Sequence, residues 1–380
     1  MPIIDPDPGR LYETYRATIG GRRRDLPTPA LILDIEAATR NLQAMERALR
    51  GQPARLRPHI KAEKSPRLAA LHIEHGAVGV ATATAWEALA MAESGIADVL
   101  IANEVVGPAK LDAVVAAARL SRITIAIDDP RGAGELSAAA RQAGVEVEVL
   151  IEVDVGMERG GTRSVEGSLA VARAVAEAPA IRLRGVQAYE GHCMSETDRT
   201  ARTAMARAAM DVAGEHVAAL REAGHLVTDV SGGGTGTYDI TGRNPIVTEL
   251  QAGSFVFMDR FHAPLVDQFE FALFVASTVV ARHGRTIVLD AGRKSVGIDY
   301  ASPRIAGIDM DGRFFAEEHG TFDFPDDPPL DRGDRVELIP GYAPTTVNLY
   351  DVYHVVAGDE VVDVWPIIPR GPGRGMVVGR

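Results

Sequence analysis

The sequence predicts an α/β protein in which an eight-stranded β/α barrel of the TIM type precedes a separate, mostly antiparallel β domain. From about residue 57 onward, short runs rich in Val and Ile alternate with Ala-rich stretches of helical period, as in βαβ units. After about residue 271 this pattern gives way to alternating strand-like segments broken by Gly, Pro and Asp. The 380 residues leave roughly a hundred to spare beyond one barrel, so we expect two domains.

Eight strands can be counted in the barrel region, and a connection follows each of them. The predicted strands cover 57–61, 77–81, 98–102, 123–127, 148–153, 183–188, 227–230 and 248–251. Helical stretches lie between them at 65–74, 85–94, 132–143, 168–178 and 200–223. This arrangement favours closure into a barrel over an open, doubly wound sheet.

The segments outside the barrel set the predicted domain boundaries. A strand at 30–34 and the helical pattern of 35–49 are surplus to the eight, and we expect this strand to join another sheet. Strand-like segments of the β domain lie at 286–289, 335–339, 353–356 and 360–364. We therefore expect an N-terminal segment, 1–45, that partly joins the β domain, a barrel, 46–265, and a C-terminal β domain, 266–380.

Composition and charge limit the partners and the location. A hydrophobic fraction of 46% and a charged fraction of 24% are typical of a globular protein. The net charge of -12 argues against nucleic acid, and the one dense basic run, Arg22, Arg23 and Arg24, is interpreted as a solvated lead-in segment. The single cysteine, Cys193, excludes an internal disulfide and is interpreted as a small buried residue. Without a targeting signal or an apolar run of about 18 to 20 residues, we expect a cytoplasmic protein that does not enter a membrane.

Polar residues just past each barrel strand are the candidates for chemistry, because barrel active sites lie at the carboxyl ends of the strands. Lys61 ends the first predicted strand, two residues after His59. A lysine in a partly desolvated site there has a lowered pKa and can form an imine with an aldehyde cofactor. The alternative is an ordinary solvated lysine.

Two further strand ends carry side chains of catalytic type. After the fifth strand, Arg159 stands in the glycine-containing run 154–161 and offers a planar set of donors, with a solvated surface turn as the alternative. After the sixth strand, Tyr189 and His192 add a phenol and an imidazole, although a lone histidine is usually structural.

The run SGGGTGT after the seventh strand is the sharpest local signal. Loops after strands seven and eight commonly bind phosphate in barrels, and a glycine run with hydroxyls can aim several N–H groups at one anion. It is not a Walker sequence, and a flexible linker is the alternative. The predicted phosphate cup consists of Ser231, Gly233, Gly234, Thr235, Gly253 and Ser254. With the lysine, arginine and tyrosine, it supplies the parts that hold pyridoxal 5'-phosphate (PLP).

The motifs also resemble a known family. LPTPALILD, RPHIKAEKSP, VDVGMERGG, QAYEGH, VSGGGTGT, QAGSFVFMD, AEEHG and PTTVNLYD occur in order over almost the whole chain. In this respect the sequence is similar to the D-threonine aldolase and eukaryotic-type D-serine dehydratase family, PLP enzymes with the alanine-racemase type of fold (fold type III). The resemblance implies a PLP Schiff base on Lys61 with His59 in the same motif, Arg159 and Tyr189 against the pyridine ring, and a homodimer.

Two departures from the family pattern concern a divalent metal. The family typically carries a histidine and, two residues later, an aspartate or cysteine as metal ligands, and these positions read Tyr342 and Pro344. A second histidine common after the PLP lysine is replaced by Glu63. Neither phenol nor proline suits Mn, Mg or Zn, so we expect no divalent metal. The alternative is a rearranged metal site that uses His192, Glu63 or His319.

The favoured reaction is cleavage of a β-hydroxy-D-amino acid to an aldehyde and glycine or a substituted glycine. His192, Glu63 or Tyr342 would then be the base at the β-hydroxyl. The alternatives are racemisation or epimerisation, with Lys61 and a tyrosine such as Tyr342 exchanging the α-proton, and dehydration with release of ammonia. A non-catalytic PLP carrier is a fourth reading, against which the extra β domain argues.

Overall fold

The structure, a computed structural model, describes residues 8–371, with the side chains of the first helix from Tyr12 onward. Residues 1–7 and 372–380 lie outside it, and with them the ends of the predicted segments 1–45 and 266–380 and the start of the stretch searched for a targeting signal. Over the described range, no helix has both the length and the apolar character needed to cross a membrane.

The helices follow the predicted pattern closely in the barrel region. Caps fix where they begin: the side chains of Ser65, Thr84 and Asp129 each accept a hydrogen bond from a backbone N–H in the first turn that follows. The helices are α1 (Pro8–Arg16), α2 (Ile35–Leu49), α3 (Pro66–Glu74), α4 (Ala85–Glu93), α5 (Pro108–Ala118), α6 (Pro130–Ala143), α7 (Val165–Glu177), α8 (Arg199–Glu222), α9 (Tyr238–Thr241) and α10 (Ala343–Val347).

The strands fall into two sheets. They are β1 (Ala30–Asp34), β2 (Arg55–Leu56), β3 (Val80–Thr82), β4 (Asp98–Ile101), β5 (Arg122–Ile127), β6 (Val147–Glu152), β7 (Ile181–Ala188), β8 (Asp229–Gly232), β9 (Glu249–Leu250), β10 (Leu273–His283), β11 (Thr286–Leu289), β12 (Arg304–Ile305), β13 (Phe314–Phe315), β14 (Gly320–Asp323), β15 (Arg335–Ile339), β16 (Val352–Ala357) and β17 (Glu360–Pro366).

Strands β2 to β9 form one parallel sheet in the order β2-β9-β8-β7-β6-β5-β4-β3. The sheet closes on itself because the chain past β2 pairs with the chain around β3. The N–H of Ala81 donates to the carbonyl of Pro58 at 2.8 Å, and His59 and Ala81 form a parallel bridge. The eight strands therefore confirm the predicted barrel.

The first barrel strand is shorter than predicted. It ends at Leu56 rather than running over 57–61, and Ile60–Ala62 form a 3-10 turn. Pro58 has no N–H to give to a sheet ladder, which limits the strand at this point. Lys61 therefore stands on a turn beyond the strand, still at its carboxyl end.

The second sheet is mostly antiparallel and takes in the N-terminal chain. Strand β1 pairs antiparallel with β10 and parallel with β16. The sheet order is β13-β14-β11-β10-β1-β16-β17, with β15 on β10 and β12 on β15. The expectation that the surplus strand joins another sheet is confirmed.

The described chain divides into two compact units. One consists of the chain up to Asn41 together with Ser254–Arg370, and the other is Leu42–Gly253. The second unit contains the whole parallel barrel. It carries Lys61, Arg159 and Tyr189, whereas Tyr342 belongs to the first unit.

Ion pairs cross the amino-terminal end of the barrel and form what we call the ion-pair belt, which is buried at Arg57 and half exposed at Arg122. Arg57 gives two hydrogen bonds to Glu249, at 2.7 and 2.8 Å, and a third to Asp98 at 2.7 Å. Gly79 leaves room for this arginine, since a Cβ there would lie 2.6 Å from Nη1 of Arg57. Beyond Asp98 the belt continues through Arg122, Glu148, Arg184 and Asp229.

Candidate active site

A cavity of about 150 Å³ lies at the carboxyl ends of the barrel strands. Its lining includes His59, Lys61, Arg159, Gln187, Tyr189 and Gln251. The structure thus brings four of the predicted cofactor-binding residues to one place, together with two glutamines that the sequence analysis did not single out.

Lys61 is held at this cavity in a state suited to attack on an aldehyde. Burial and, after it, the positive charge of Arg159 lower its pKa to about 8, although the carboxylate of Glu87 acts in the opposite direction. The backbone N–H of Lys61 also donates to Nδ1 of His59 at 3.4 Å, and burial lowers the pKa of His59 well below its usual value. A neutral imidazole therefore lies beside a lysine that is easily deprotonated.

Lys64 has a different environment from Lys61. Its Nζ lies 2.6 Å from Oε1 of Glu87, and both side chains are buried. The other carboxylate oxygen of Glu87 accepts the N–H of Ala83 at 2.7 Å. Because its ammonium is paired with a carboxylate, Lys64 is the poorer nucleophile of the two.

The aromatic ring of Tyr189 lies within cation–π distance of the two cationic side chains of the cavity. Nζ of Lys61 is 5.6 Å from the ring centre, and the guanidinium carbon of Arg159 is 5.9 Å from it. Tyr189 also packs on the glycine loop, because a Cβ on Gly234 would lie 3.4 Å from its ring. This places a flat apolar face beside the reactive lysine.

A hydrogen-bonded row of polar side chains runs across the barrel strands at the cavity. Gln187 donates to the carboxylate of Glu152, and Gln251 donates to Oε1 of Gln187 at 2.8 Å and to Oγ of Ser231 at 2.9 Å. Burial raises the pKa of Glu152 to about 8, and the charge of Glu104 adds to the effect. These inward-facing residues come from β6, β7, β8 and the end of β9. A signal for Gln187 was present: it lies two residues before Tyr189, on the same face of the strand.

The glycine loop after β8 differs from the prediction in how its N–H groups are used. The N–H of Gly233 donates to Oε2 of Glu190 at 2.9 Å, and that of Gly234 donates to Oγ1 of Thr237 at 3.1 Å. These two N–H groups are therefore engaged within the protein, and phosphate binding by the loop 231–237 stays a prediction. By contrast, the hydroxyl of Thr235 is buried and has no hydrogen-bond partner within the described residues.

The remaining residues of the predicted phosphate cup have the following contacts in the structure. Gly253 packs against the backbone of His59, since a Cβ there would lie 2.2 Å from the carbonyl oxygen of His59. The hydroxyl of Ser231 accepts the amide of Gln251. Ser254 begins a 3-10 turn, Ser254–Val256, immediately after Gly253. The close approach at Gly253 explains why this position is a glycine.

The three candidate bases have different surroundings. The His192 ring lies against Gly156, where a Cβ would come within 2.9 Å of it, and its buried Nδ1 has no hydrogen-bond partner in the described chain. Glu63 is 0% exposed and lies 2.9 Å from Nε2 of His72, which is equally buried. Its carboxylate does not line the cavity, which corrects the expectation that Glu63 faces the substrate.

Tyr342, the third candidate, belongs to an aromatic cluster in the other unit. Its ring centre is 5.0 Å from that of Tyr300, 5.8 Å from Phe261 and 6.0 Å from His262. Pro344 stands in the first turn of α10, a position that suits proline.

The residues present do not fit the divalent metal of the family. Pro344 has no donor, and the phenol of Tyr342 must lose a proton to become a strong ligand. Across residues 8–371, no group of three or more His, Cys, Asp or Glu side chains is arranged to hold a metal ion.

Barrel, lysine cavity and second sheet together define a class of protein. Residues 33–260 match the family of the alanine racemase N-terminal domain, and residues 272–356 match that of a putative serine dehydratase domain. The chain is thus a barrel protein of the alanine-racemase class with a serine dehydratase-like β domain.

The nearer relatives narrow this class. The chain is 36% identical to D-threonine aldolase from Arthrobacter sp., over 91% of this chain and 93% of that protein. It is 36% identical to 3-hydroxy-D-aspartate aldolase from Paracoccus denitrificans, over 92% and 93%. The solved D-threonine aldolase from Filomicrobium marinum superposes with a TM-score of 0.91 at 36% identity, covering 93% of this chain and 98% of that one. The chain belongs to the D-threonine aldolase family, which confirms the resemblance found in the sequence.

PLP, the cofactor implied by this family, fits the residues of the cavity. The lysine with a lowered pKa suits its aldehyde, the Tyr189 face suits its ring, and the buried, unbonded hydroxyl of Thr235 suits an anionic oxygen.

The pKa of Lys61 predicts how cofactor attachment depends on pH. A neutral amine attacks the aldehyde, so the rate of attachment should rise with pH and level off above about 8, rather than above the ordinary lysine value of 10.5. Arg159→Met removes a positive charge that lowers this pKa, and should move the midpoint to higher pH. Arg163→Met, at an exposed arginine paired with Asp154, is the control and should leave the midpoint in place. The rate of PLP attachment at each pH is measured by stopped-flow absorbance after mixing PLP with apoprotein. If the midpoint in Arg159→Met equalled that of wild type, the effect of the Arg159 charge would be contradicted.

Proposed function

We propose that this protein is a PLP-dependent lyase that cleaves a β-hydroxy-D-amino acid to an aldehyde and glycine or a substituted glycine. The observation that carries the proposal is the cavity lysine, Lys61, in a chain that shares 36% identity with two aldolases over nine-tenths of its length. The family resemblance is also the support for a homodimer, and the single cysteine, Cys193, is the support for a cytoplasmic location.

The side chains of the cavity have separate tasks in this reaction. PLP, when bound, supplies a ring that accepts the electron pair released as the Cα–Cβ bond breaks. Lys61 holds the cofactor through Nζ, and Tyr189 supports the flat ring beside it. Arg159 keeps a positive charge close to both residues. These groups fix the position and the charge around the reacting carbon atoms.

A base must remove the proton of the β-hydroxyl group. Within the barrel, His192 is the candidate that the geometry favours over Glu63, because Glu63 is fully buried against His72. The buried Nδ1 of His192 is unbonded within the described residues, and the ring is packed on Gly156. Tyr342 is the candidate from the other unit.

We also propose that this reaction proceeds without a bound divalent metal. The support is the pair Tyr342 and Pro344, which replace both metal ligands of the family motif. Without a metal to lower the pKa of the substrate hydroxyl, the reaction depends fully on a protein base.

A substrate panel tests both proposals in one experiment. D- and L-isomers of threonine, 3-hydroxyaspartate and phenylserine are each incubated with the PLP-loaded protein, with and without exhaustive chelation. We expect aldehyde and glycine, or a substituted glycine, from D-isomers only, at a rate that chelation leaves unchanged. Loss of activity on chelation, restored by Mn, Mg or Zn, would overturn the metal-free proposal alone.

The panel also separates the other reactions. Dehydration is the second candidate because residues 272–356 match the serine dehydratase domain, and ammonia without aldehyde would identify it. Exchange of the α-proton with solvent, with neither product released, would identify a racemase or epimerase.

A further inference from the structure

Glu190 is a buried carboxylate that the reaction outlined above does not use. It follows Tyr189 directly, at the end of β7, and its exposed fraction is 0%. A buried carboxylate is costly unless several donors surround it. The hydrogen-bond donors to its carboxylate among the described residues lie in one segment of the chain, the glycine loop and the short helix α9 that follows it.

Three donors converge on this one carboxylate. The N–H of Gly233 donates to Oε2 at 2.9 Å, and the hydroxyls of Thr237 and Thr241 donate to Oε1 at 2.7 and 2.5 Å. Each of these bonds has a charged acceptor, which makes it stronger than a bond between neutral groups.

The hydroxyl of Thr237 connects Glu190 to a second residue of the loop, Gly234. It accepts the N–H of Gly234 at 3.1 Å while donating to Glu190, and the N–H of Thr237 donates back to the carbonyl of Gly234 at 3.2 Å. Glu190 therefore fixes Gly233 directly and Gly234 through one hydroxyl. Gly233 has a φ of +78°, and a Cβ there would lie 2.3 Å from Leu250, so the loop has little freedom to adopt another path.

The hydroxyl of Thr235 is the group of the glycine loop that remains available to bind a ligand. Thr235 stands between the fixed Gly234 and Thr237, and its buried hydroxyl has no partner among the residues of the described chain. Since Tyr189 and Gly234 are in contact, the same loop borders the cavity that holds Lys61. A buried hydroxyl donor at this place suits an anionic oxygen.

We propose that Glu190 is a positioning residue for the cofactor phosphate: it holds the glycine loop in the one shape that presents Thr235 to that anion. The proposal rests on the proposed function, because it takes PLP as the ligand. It assigns Gly233 and Gly234 to the shape of the loop and the phosphate contact to Thr235.

Charge and shape make opposite predictions for the variant Glu190→Gln. If Glu190 acted only through its negative charge, it would repel the phosphate of PLP. Removing the charge would then strengthen the binding of PLP relative to pyridoxal, which lacks the phosphate. As a positioning residue, it cannot be replaced by an amide, because an amide has one acceptor oxygen where Gly233, Thr237 and Thr241 need two. PLP affinity should then fall on the order of tenfold relative to pyridoxal.

The experiment measures the dissociation constants of PLP and pyridoxal for apoprotein by fluorescence, in wild type, Glu190→Gln and Thr235→Val. Both variants should lose affinity for PLP while the pyridoxal affinity changes less than about twofold, since only the phosphate contact is altered. The matched control is Glu148→Gln in the ion-pair belt, a buried carboxylate at the opposite end of the barrel. This variant should be less stable, but its affinity for PLP relative to pyridoxal should equal that of wild type.

The outcomes separate this proposal from the proposed function. Wild-type protein that binds neither compound would contradict the PLP proposal itself. The positioning role alone would be overturned if wild-type protein prefers PLP and Glu190→Gln prefers PLP over pyridoxal by the same factor or a larger one.

Discussion

Lys61→Ala is expected to abolish the covalent attachment of PLP and to lower the cleavage rate on the order of 10³-fold or more. Among the described residues no other lysine lines the cavity, and the nearest in sequence, Lys64, has its ammonium paired with Glu87 at 2.6 Å. Borohydride reduction of the PLP-loaded protein followed by peptide mass spectrometry should place the cofactor on Lys61. A small amine such as methylamine should restore part of the activity of the variant.

The control for this prediction is Lys64→Met. It leaves Glu87 buried without its cation, so we expect a less stable protein that still carries the visible absorption band of lysine-bound PLP. If the band persisted in Lys61→Ala and vanished in Lys64→Met, the two assignments would have to be exchanged.

The largest effect on stability is expected from Arg57→Met, at the ion-pair belt. Arg57 is 2% exposed and satisfies Glu249 with two hydrogen bonds and Asp98 with a third. Removing one partner of a buried pair leaves an uncompensated charge, which typically costs about 3 to 5 kcal/mol. The free energy of unfolding in urea should fall by this amount.

A surface arginine gives the comparison for the belt. Arg131 pairs with Asp129 within its own helix start and is largely exposed, so Arg131→Met should leave the urea midpoint unchanged. If the two variants unfolded at the same urea concentration, the belt would have no special role in stability. Because Arg57 lies at the amino-terminal end of the barrel, the PLP spectrum of folded Arg57→Met should match that of wild type.

Local patterns were sufficient to predict the barrel and to place Lys61 at the carboxyl ends of its strands. Strands buried on both faces appear in the sequence as continuous Val and Ile runs, and β4 to β7 lie within a few residues of their predicted positions. The strand β10, Leu273–His283, was not separated from its surroundings, because its apolar run has no clear period of two.

What the sequence could not show is which polar groups meet across distant segments. Glu190 looks like a neighbour of Tyr189, but successive residues leave an extended chain on opposite sides, and its partners come 43 to 51 positions later. Glu63 was a candidate base because it stands where the family has a second histidine, whereas the chain turns after Pro58 and carries Glu63 toward His72. Both outcomes depend on tertiary pairing, which no local pattern contains.

The short distance in sequence between Arg57 and Lys61 has an evolutionary consequence. One residue is fixed at the closed end of the barrel by Glu249 and Asp98, and the other carries the reactive amine at the open end. An inserted or deleted residue between them would shift the lysine against its surroundings while the arginine stayed anchored. We therefore expect the segment from Arg57 to Lys61 to change in evolution by substitution and not by insertion or deletion.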